Sequence, residues 1–131
     1  MPALGSSRAS IRIYGPDVDP ARVTALLGCP PDGEPVQHST RGRLWSIRSE
    51  KSTPADLDTQ ITALLARATD DLDAWRRAGE GHRVDAFCGL FMNEWNEGLS
   101  LAPATLLALA QRGITLDLDL YGASWDERTK P

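Results

Sequence analysis

The sequence is short of the residues on which chemistry most often depends. Two histidines and two cysteines occur in 131 residues. His38, His82, Cys29 and Cys88 stand apart, without the Cys-x-x-Cys or His-x-x-x-His spacing that brings two ligands onto one metal. Asp70, Asp71 and Asp73 lack the glycine and terminal glutamate of a calcium loop. No metal and no cofactor are therefore expected. Two cysteines are too few for a secreted disulfide scaffold, although a bridge between them stays open at this stage. The glycines never form Gly-x-Gly-x-x-Gly or Gly-Lys-Ser, so no phosphate-cradling loop is expected. No apolar run approaches the ~20 residues of a membrane span, and residues 1–10 lack the apolar segment of a secretory signal. A cytoplasmic protein without membrane association is the expectation. Lys and Arg number 14 against 18 Asp and Glu, which argues against nucleic acid, whose binders cluster cations on phosphates.

What is present reads as one domain. Residues 1–9 are expected to be a frayed leader, 10–122 a single globular domain, and 123–131 a polar tail. Ser10 to Tyr14 alternate polar and apolar, as a strand covered on one face does. Asp19 and Pro20 open a short helix through Val23, Leu26 and Leu27, which Gly28 and the two prolines after Cys29 close. A loop follows, with a short strand near Val36–His38, then a strand at Arg43–Arg48. Thr53-Pro54-Ala55-Asp56 has the form of a helix start, with Thr53 as cap. Leu57, Ile61, Leu64 and Leu65 follow at helical spacing, and Leu72, Trp75 and Ala78 continue it. Thr69-Asp70-Asp71 can cap a second helix, so residues 54–78 read equally as one helix or two.

Residues 84–92 are the most apolar strand and are expected to be central. Asn93–Gly98 reads as a turn, and Leu99–Leu101 as a short returning strand. Pro103 starts a last helix that Gly113 closes, and residues 114–121 alternate as a strand. Residues 10–48 and 84–121 thus repeat the order strand, helix, strand. The expected fold class is α+β (mixed α/β). It comprises one mixed or antiparallel sheet of about four to six strands, with helices packed mainly on one face and two pseudo-repeated halves. Alternation rather than continuous apolar strands points to one covered face.

Four segments carry a resemblance. Ser10-Ile11-Arg12-Ile13-Tyr14-Gly15 with Asp19-Pro20, Gly42-Arg43-Leu44-Trp45-Ser46, Asp85-Ala86-Phe87-Cys88-Gly89 and Leu116-Asp117-Leu118-Asp119-Leu120-Tyr121-Gly122 together resemble the bacterial domain-of-unknown-function family 4279. The resemblance spans roughly residues 9–122. It implies a fold and a bacterial origin, and it brings no activity, cofactor or catalytic residue. One departure is visible: Leu101-Ala102-Pro103 has alanine where a capping Ser or similar residue is expected before the proline.

Alternation also defines a candidate site. If Ile11, Ile13, Trp45, Ile47, Leu116, Leu118 and Leu120 face the core, then Arg12, Tyr14, Ser46, Arg48, Asp117, Asp119 and Tyr121 face away. Asp85 and Phe87 join them if Ala86 and Cys88 face inward. This charged, aromatic surface reads either as a solvated sheet face with cross-strand Arg–Asp pairs or as a platform for a ligand or partner. Trp45 and Trp75 fit the core. Trp95, in the polar Asn93–Glu97 turn, is either folded back on the sheet edge or an exposed contact anchor, and Trp125 is expected to tuck against the body. Asp117 and Asp119 lie roughly 6–7 Å apart along one strand, a spacing that also suits acid–base chemistry. Cys88 with His82 could act as a nucleophile pair only across a sharp turn, since six extended residues span roughly 20 Å. The favoured expectation is a non-enzymatic binding or protein-interaction module using Arg12, Tyr14, Arg48, Asp85, Trp95, Asp117, Asp119 and Tyr121. The alternative is a small-molecule binder or enzyme on the same face. The partner is then a protein or a small ligand, and the chain a monomer or a homodimer joined through that face.

Overall fold

The computed structural model describes residues 2–33, 36–38 and 42–123. Five strands form one mixed sheet. In chain order they are β1 (Ser6–Gly15), β2 (Val36–His38), β3 (Gly42–Arg48), β4 (Arg83–Phe91) and β5 (Thr115–Tyr121), and they lie side by side as β2-β3-β1-β4-β5. Strand β1 is therefore the centre, and β4 is the interior strand beside it. All neighbours are antiparallel except β4 and β5, which are parallel. Four helices accompany the sheet: α1 (Pro20–Leu27), α2 (Leu57–Arg67), α3 (Leu72–Gly79) and α4 (Pro103–Gln111). The register sets Ile11 between Ile47 and Ala86, and Ile13 between Trp45 and Val84. That face meets Val23, Leu27, Leu57, Ile61, Leu64, Trp75 and Leu109 in one buried cluster. The expected α+β arrangement, a mixed sheet with strands and helices alternating along the chain, is the one observed.

Local chemistry explains most helix ends. Asp19 accepts from the backbone of Ala21 and Arg22, Pro20 occupies the first turn, and Gly28 closes α1 at φ 67°. Residues 54–78 form two helices. The break is fixed by Thr69, whose backbone N–H donates to the Leu27 carbonyl, while Asp71 caps α3 through the Asp73 amide. Ala102 at the start of α4 makes no side-chain cap bond, as its methyl group dictates.

Five expectations need correction. Residues 1–9 were expected to be a leader, yet β1 begins at Ser6 and Leu4, Ser7 and Ala9 are buried. Backbone bonds from Leu4 to Gly98 and from Ser7 to Ser52 tie this segment in, and small, polar residues hide that tie in the sequence. Helix α2 starts at Leu57 with Asp56 as cap, because the Ala55 amide is taken by the Leu4 carbonyl and the Asp56 amide by the Ser7 hydroxyl. Leu99–Leu101 forms no strand; pairing there is a single bridge from Gly98 to Ala3. Leu118 and Leu120 share the helix side of β5 with Leu116, yet they are 49% and 63% exposed. Helix α4 ends the helix layer short of them, and β5 is an edge strand. The two strand–helix–strand halves, finally, repeat only in order: β1 and β3 are antiparallel, because β2 intervenes, whereas β4 and β5 are parallel.

Candidate functional site

The face opposite the main core is built by register. Ser10, Arg12 and Tyr14 of β1 stand beside Arg48, Ser46 and Leu44 of β3, and Arg8, Ser10, Arg12 and Tyr14 beside Gly89, Phe87, Asp85 and Arg83 of β4. Asp85, Phe87, Gly89 and Phe91 in turn stand beside Thr115, Asp117, Asp119 and Tyr121 of β5. Seven of the eight expected site residues, Arg12, Tyr14, Arg48, Asp85, Asp117, Asp119 and Tyr121, therefore share this face. Ala86 and Cys88 face the core, so Asp85 and Phe87 do join the outer set. On this face stand four arginines, Arg8, Arg12, Arg48 and Arg83, against three aspartates, although the whole chain is acidic.

The seven residues fall into two groups. At one end Arg12 grips Asp85 through two bonds, Nε to Oδ1 at 2.8 Å and a terminal nitrogen to Oδ2 at 2.6 Å. The Tyr14 hydroxyl donates to the same Oδ2 at 3.3 Å. The guanidinium lies over the Phe87 ring at 4.2 Å and the Tyr14 ring at 5.0 Å, a cation–π arrangement that suits a planar cation. Asp85 is only 2% exposed. Its hydrogen bond raises the Arg12 pKa, so the guanidinium stays charged. Asp117 stands next to Asp85, and that carboxylate holds its pKa above the ordinary carboxylate value. A hollow of about 730 Å³ opens here, with Tyr14, His82, Arg83, Asp117 and Arg112 among its walls. Among the described residues, the buried Nδ1 of His82 and Nε of Arg112 have no hydrogen-bond partner.

At the other end a hollow of about 400 Å³ is walled by Arg8, Ser10, Arg48, Phe87, Phe91, Asp119 and Tyr121, with Gly89 among its lining residues. The rings of Phe91 and Tyr121 stack at 4.7 Å and 8°. The neighbouring Asp119 carboxylate raises the Tyr121 pKa. The Lys51 ammonium sits 5.9 Å from the Phe91 ring. The Arg48 guanidinium donates to the Asp32 backbone carbonyl and the Arg48 amide to the Asp32 carboxylate, which Arg67 holds in a two-point ion pair. Among the described residues neither Arg8 nor Arg48 forms an ion pair.

Arg8, Gly89 and Phe91 were not among the expected site residues. The signal for Arg8 was the same two-residue period carried one step before Ser10, and for Phe91 the same period carried past Phe87. Trp95, the eighth expected residue, is not on the sheet. It stands 94% exposed on a turn braced by the Asn93 amide on Glu97 Oε1 and by the Gly98 amide on the Pro2 carbonyl. It follows Phe91 by four residues, a reach of at most about 14 Å.

The remaining chemical candidates separate. Cys29 and Cys88 are free and buried. Burial pushes the Cys88 thiol up to about 12, and its side chain faces the core, whereas His82 precedes β4 and lines the larger hollow. Among the described residues no three His, Cys, Asp or Glu side chains gather as a metal site, and no helix is long and apolar enough to cross a membrane. Trp125 and the polar tail lie outside the described residues.

A family comparison matches residues 5–123, a span that starts one residue before β1 and ends two after β5, to the domain of unknown function DUF4279. The chain belongs to the DUF4279 family. The resemblance read from the sequence covers residues 9–122, so the match extends it over residues 5–8, where the DUF4279 domain starts β1 and Ser6 and Ser7 are buried. No curated protein and no solved structure matches this DUF4279 chain.

Proposed function

We propose that this DUF4279 domain is a non-enzymatic interaction module that docks a protein partner across the Phe91–Tyr121 end of its open sheet face. The observation that carries this reading is Trp95, an indole 94% exposed on a braced turn four residues after Phe91, the last residue of β4, whose ring stacks on Tyr121. A fully solvated tryptophan forfeits the burial that such a side chain normally gains, about 1.5–3 kcal/mol for a large apolar group, whereas partner surfaces concentrate Trp, Tyr and Arg. Binding is favoured over catalysis because the most buried acid of the face, Asp85, is committed to Arg12 and Tyr14. A general acid or base needs a proton it can exchange with a substrate.

A peptide library displayed on phage tests the reading directly. Selection on the intact protein, with counter-selection on Trp95→Ala and on Phe91→Ala, is expected to enrich peptides that lose binding to both variants. Enriched peptides that bind the variants equally well would overturn it.

A second reading rests on the larger hollow. Its walls hold Asp117, with a raised pKa, together with His82, Arg83 and Arg112, which favours a small polar ligand there. A fragment mixture followed by amide chemical shifts separates the two. Shifts at His82, Arg112 and Thr115 support the small-ligand reading, and their absence removes it.

A further inference from the structure

We infer that the segment bound at the Phe91–Tyr121 end is acidic and carries an aromatic side chain. This inference rests on the interaction reading above and specifies its partner. Three cations border the smaller hollow: Arg8 and Arg48 in its wall, and Lys51 at 5.9 Å from the Phe91 ring. Among the described residues, none of the three is neutralised by an ion pair. The one acid among the described residues of this wall is Asp119, set against Arg8 and Arg48. In a chain of net charge -4, such a local excess of positive charge attracts anions and speeds their encounter.

The floor adds shape. Gly89 carries no side chain between Phe87 and Phe91, and the Phe91 ring folds over it. A Cβ at Gly89 would lie 3.2 Å from Phe91 Cε2. An incoming ring can therefore meet the Phe91 and Phe87 rings that line this hollow, in the offset or edge contacts that aromatic pairs prefer. Carboxylates on either side of that ring then meet Arg8 and Arg48, and planar guanidinium suits planar carboxylate. A basic segment meets only Asp119 in this wall and is repelled by three cations.

Three capped peptides test this on the full chain labelled with nitrogen-15: Gly-Asp-Glu-Phe-Glu-Asp-Gly, the same with alanine for phenylalanine, and Gly-Lys-Lys-Phe-Lys-Lys-Gly. The acidic phenylalanine peptide is expected to shift the amides of Arg8, Ser10, Phe87, Gly89 and Phe91. The alanine and lysine peptides are expected to bind at least about tenfold more weakly, the size of one lost anchor. Arg8→Glu is expected to weaken the acidic peptide by a similar factor, and so is raising salt from about 0.05 to about 0.3 M. Arg8 is exposed on its strand, and a dispersed amide spectrum of the variant confirms its fold. Equal or tighter binding of the lysine peptide, shifts confined to other surfaces, or an unchanged affinity in Arg8→Glu each overturn the inference. If phage-selected peptides require Trp95 and Phe91 but are neutral or basic, the acidic partner falls and the interaction reading stands. If no selected peptide requires them, both fall.

Discussion

Arg12 and Asp85 face each other across β1 and β4 and form a two-point ion pair, with side chains 12% and 3% exposed. Both charges have left water, and the pair is held by a second donor, Tyr14, and by the Phe87 ring. Such a pair is strongly coupled: losing one partner strands the other charge, whereas replacing both with apolar groups of similar volume is often neutral. Asp85→Ala is expected to destabilise the protein by about 3–5 kcal/mol, read as a lower urea midpoint. The double variant Arg12→Met with Asp85→Leu is expected to recover most of that loss. If Asp85→Ala alone costs less than about 1 kcal/mol, the pair is solvated and the face is looser than described.

Two aspartates give acid responses of opposite sign. Arg67 lowers Asp32 from 3.8 to about 2. A depressed folded pKa contributes stability above the unfolded value, and that contribution is lost as pH falls through 3.8 towards 2. Both partners are more than a third exposed or nearly so, so the pair is worth at most about 1 kcal/mol. Asp117 is raised by its neighbour Asp85. Its charge therefore disfavours folding at neutral pH, and the penalty disappears as pH falls through the raised folded value to below 3.8. Asp32→Asn is expected to lower the melting temperature at neutral pH and to match the parent near pH 2. Asp117→Asn is expected to raise it at neutral pH and to match the parent below pH 3.8. Melting curves over this range check both signs, and a higher melting temperature of Asp32→Asn at neutral pH contradicts the first.

Residues 4–9 are part of the fold. Ser7 is fully buried; its hydroxyl donates to Gln60 Oε1 at 2.6 Å and accepts from the Asp56 amide, while Gln60 Nε2 donates to the Ser7 and Glu50 carbonyls. Deleting residues 1–9 removes this network together with Leu4 and Ala9, and is expected to abolish the dispersed amide spectrum. Gln60→Leu leaves the Ser7 and Glu50 groups unmet and is expected to cost about 1–3 kcal/mol. A truncated chain with the parent's melting temperature would restore these residues to the status of a leader.

The thiols offer a compact probe of packing. Cys29 is 3% exposed and Cys88 fully buried, and burial raises Cys88 to about 12. Thiolate is the reactive form, so neither cysteine is expected to react with a disulfide reagent in the native state, and both are expected to react in denaturant. Rapid native labelling of Cys88 would mean that β4 opens locally.

The faces of β1 and β3 were legible because alternation is set by the backbone: Ile11 lies between Ser10 and Arg12, and Ile47 between Ser46 and Arg48. The side of β4 stayed open, because Cys88 lies between Phe87 and Gly89, so the face of Asp85 was conditional on Ala86 and Cys88 turning inward, and its burial was not legible. That depends on a cross-strand partner, Arg12, some 70 residues away in sequence, which spacing alone does not reveal. Leu118 and Leu120 pose the converse case. Their alternation reads as a covered face, but coverage depends on how far α4 extends over the edge strand, a tertiary fact. Arg8 was missed for a third reason: Ser6, Ser7 and Ala9 pack by virtue of being small, so no hydrophobic period announces the strand.

Trp95 bears most directly on function, and its exposure makes a sharp contrast with Trp45 and Trp75. Both of those rings are buried, with Nε1 donating to the Thr24 hydroxyl and the Thr69 carbonyl respectively. Trp45→Ala empties a core site and is expected to cost about 3–5 kcal/mol. Trp95→Ala removes a ring that packs against little, and is expected to change stability by no more than about 0.5 kcal/mol. The variant is also expected to lose the part of the tryptophan emission that acrylamide quenches most readily and to leave a bluer spectrum. A residue kept solely for the fold would behave in the opposite way. If Trp95→Ala destabilises the chain by more than about 2 kcal/mol, the indole packs against the body in solution. It would then be lost as a partner anchor, and the interaction reading with it.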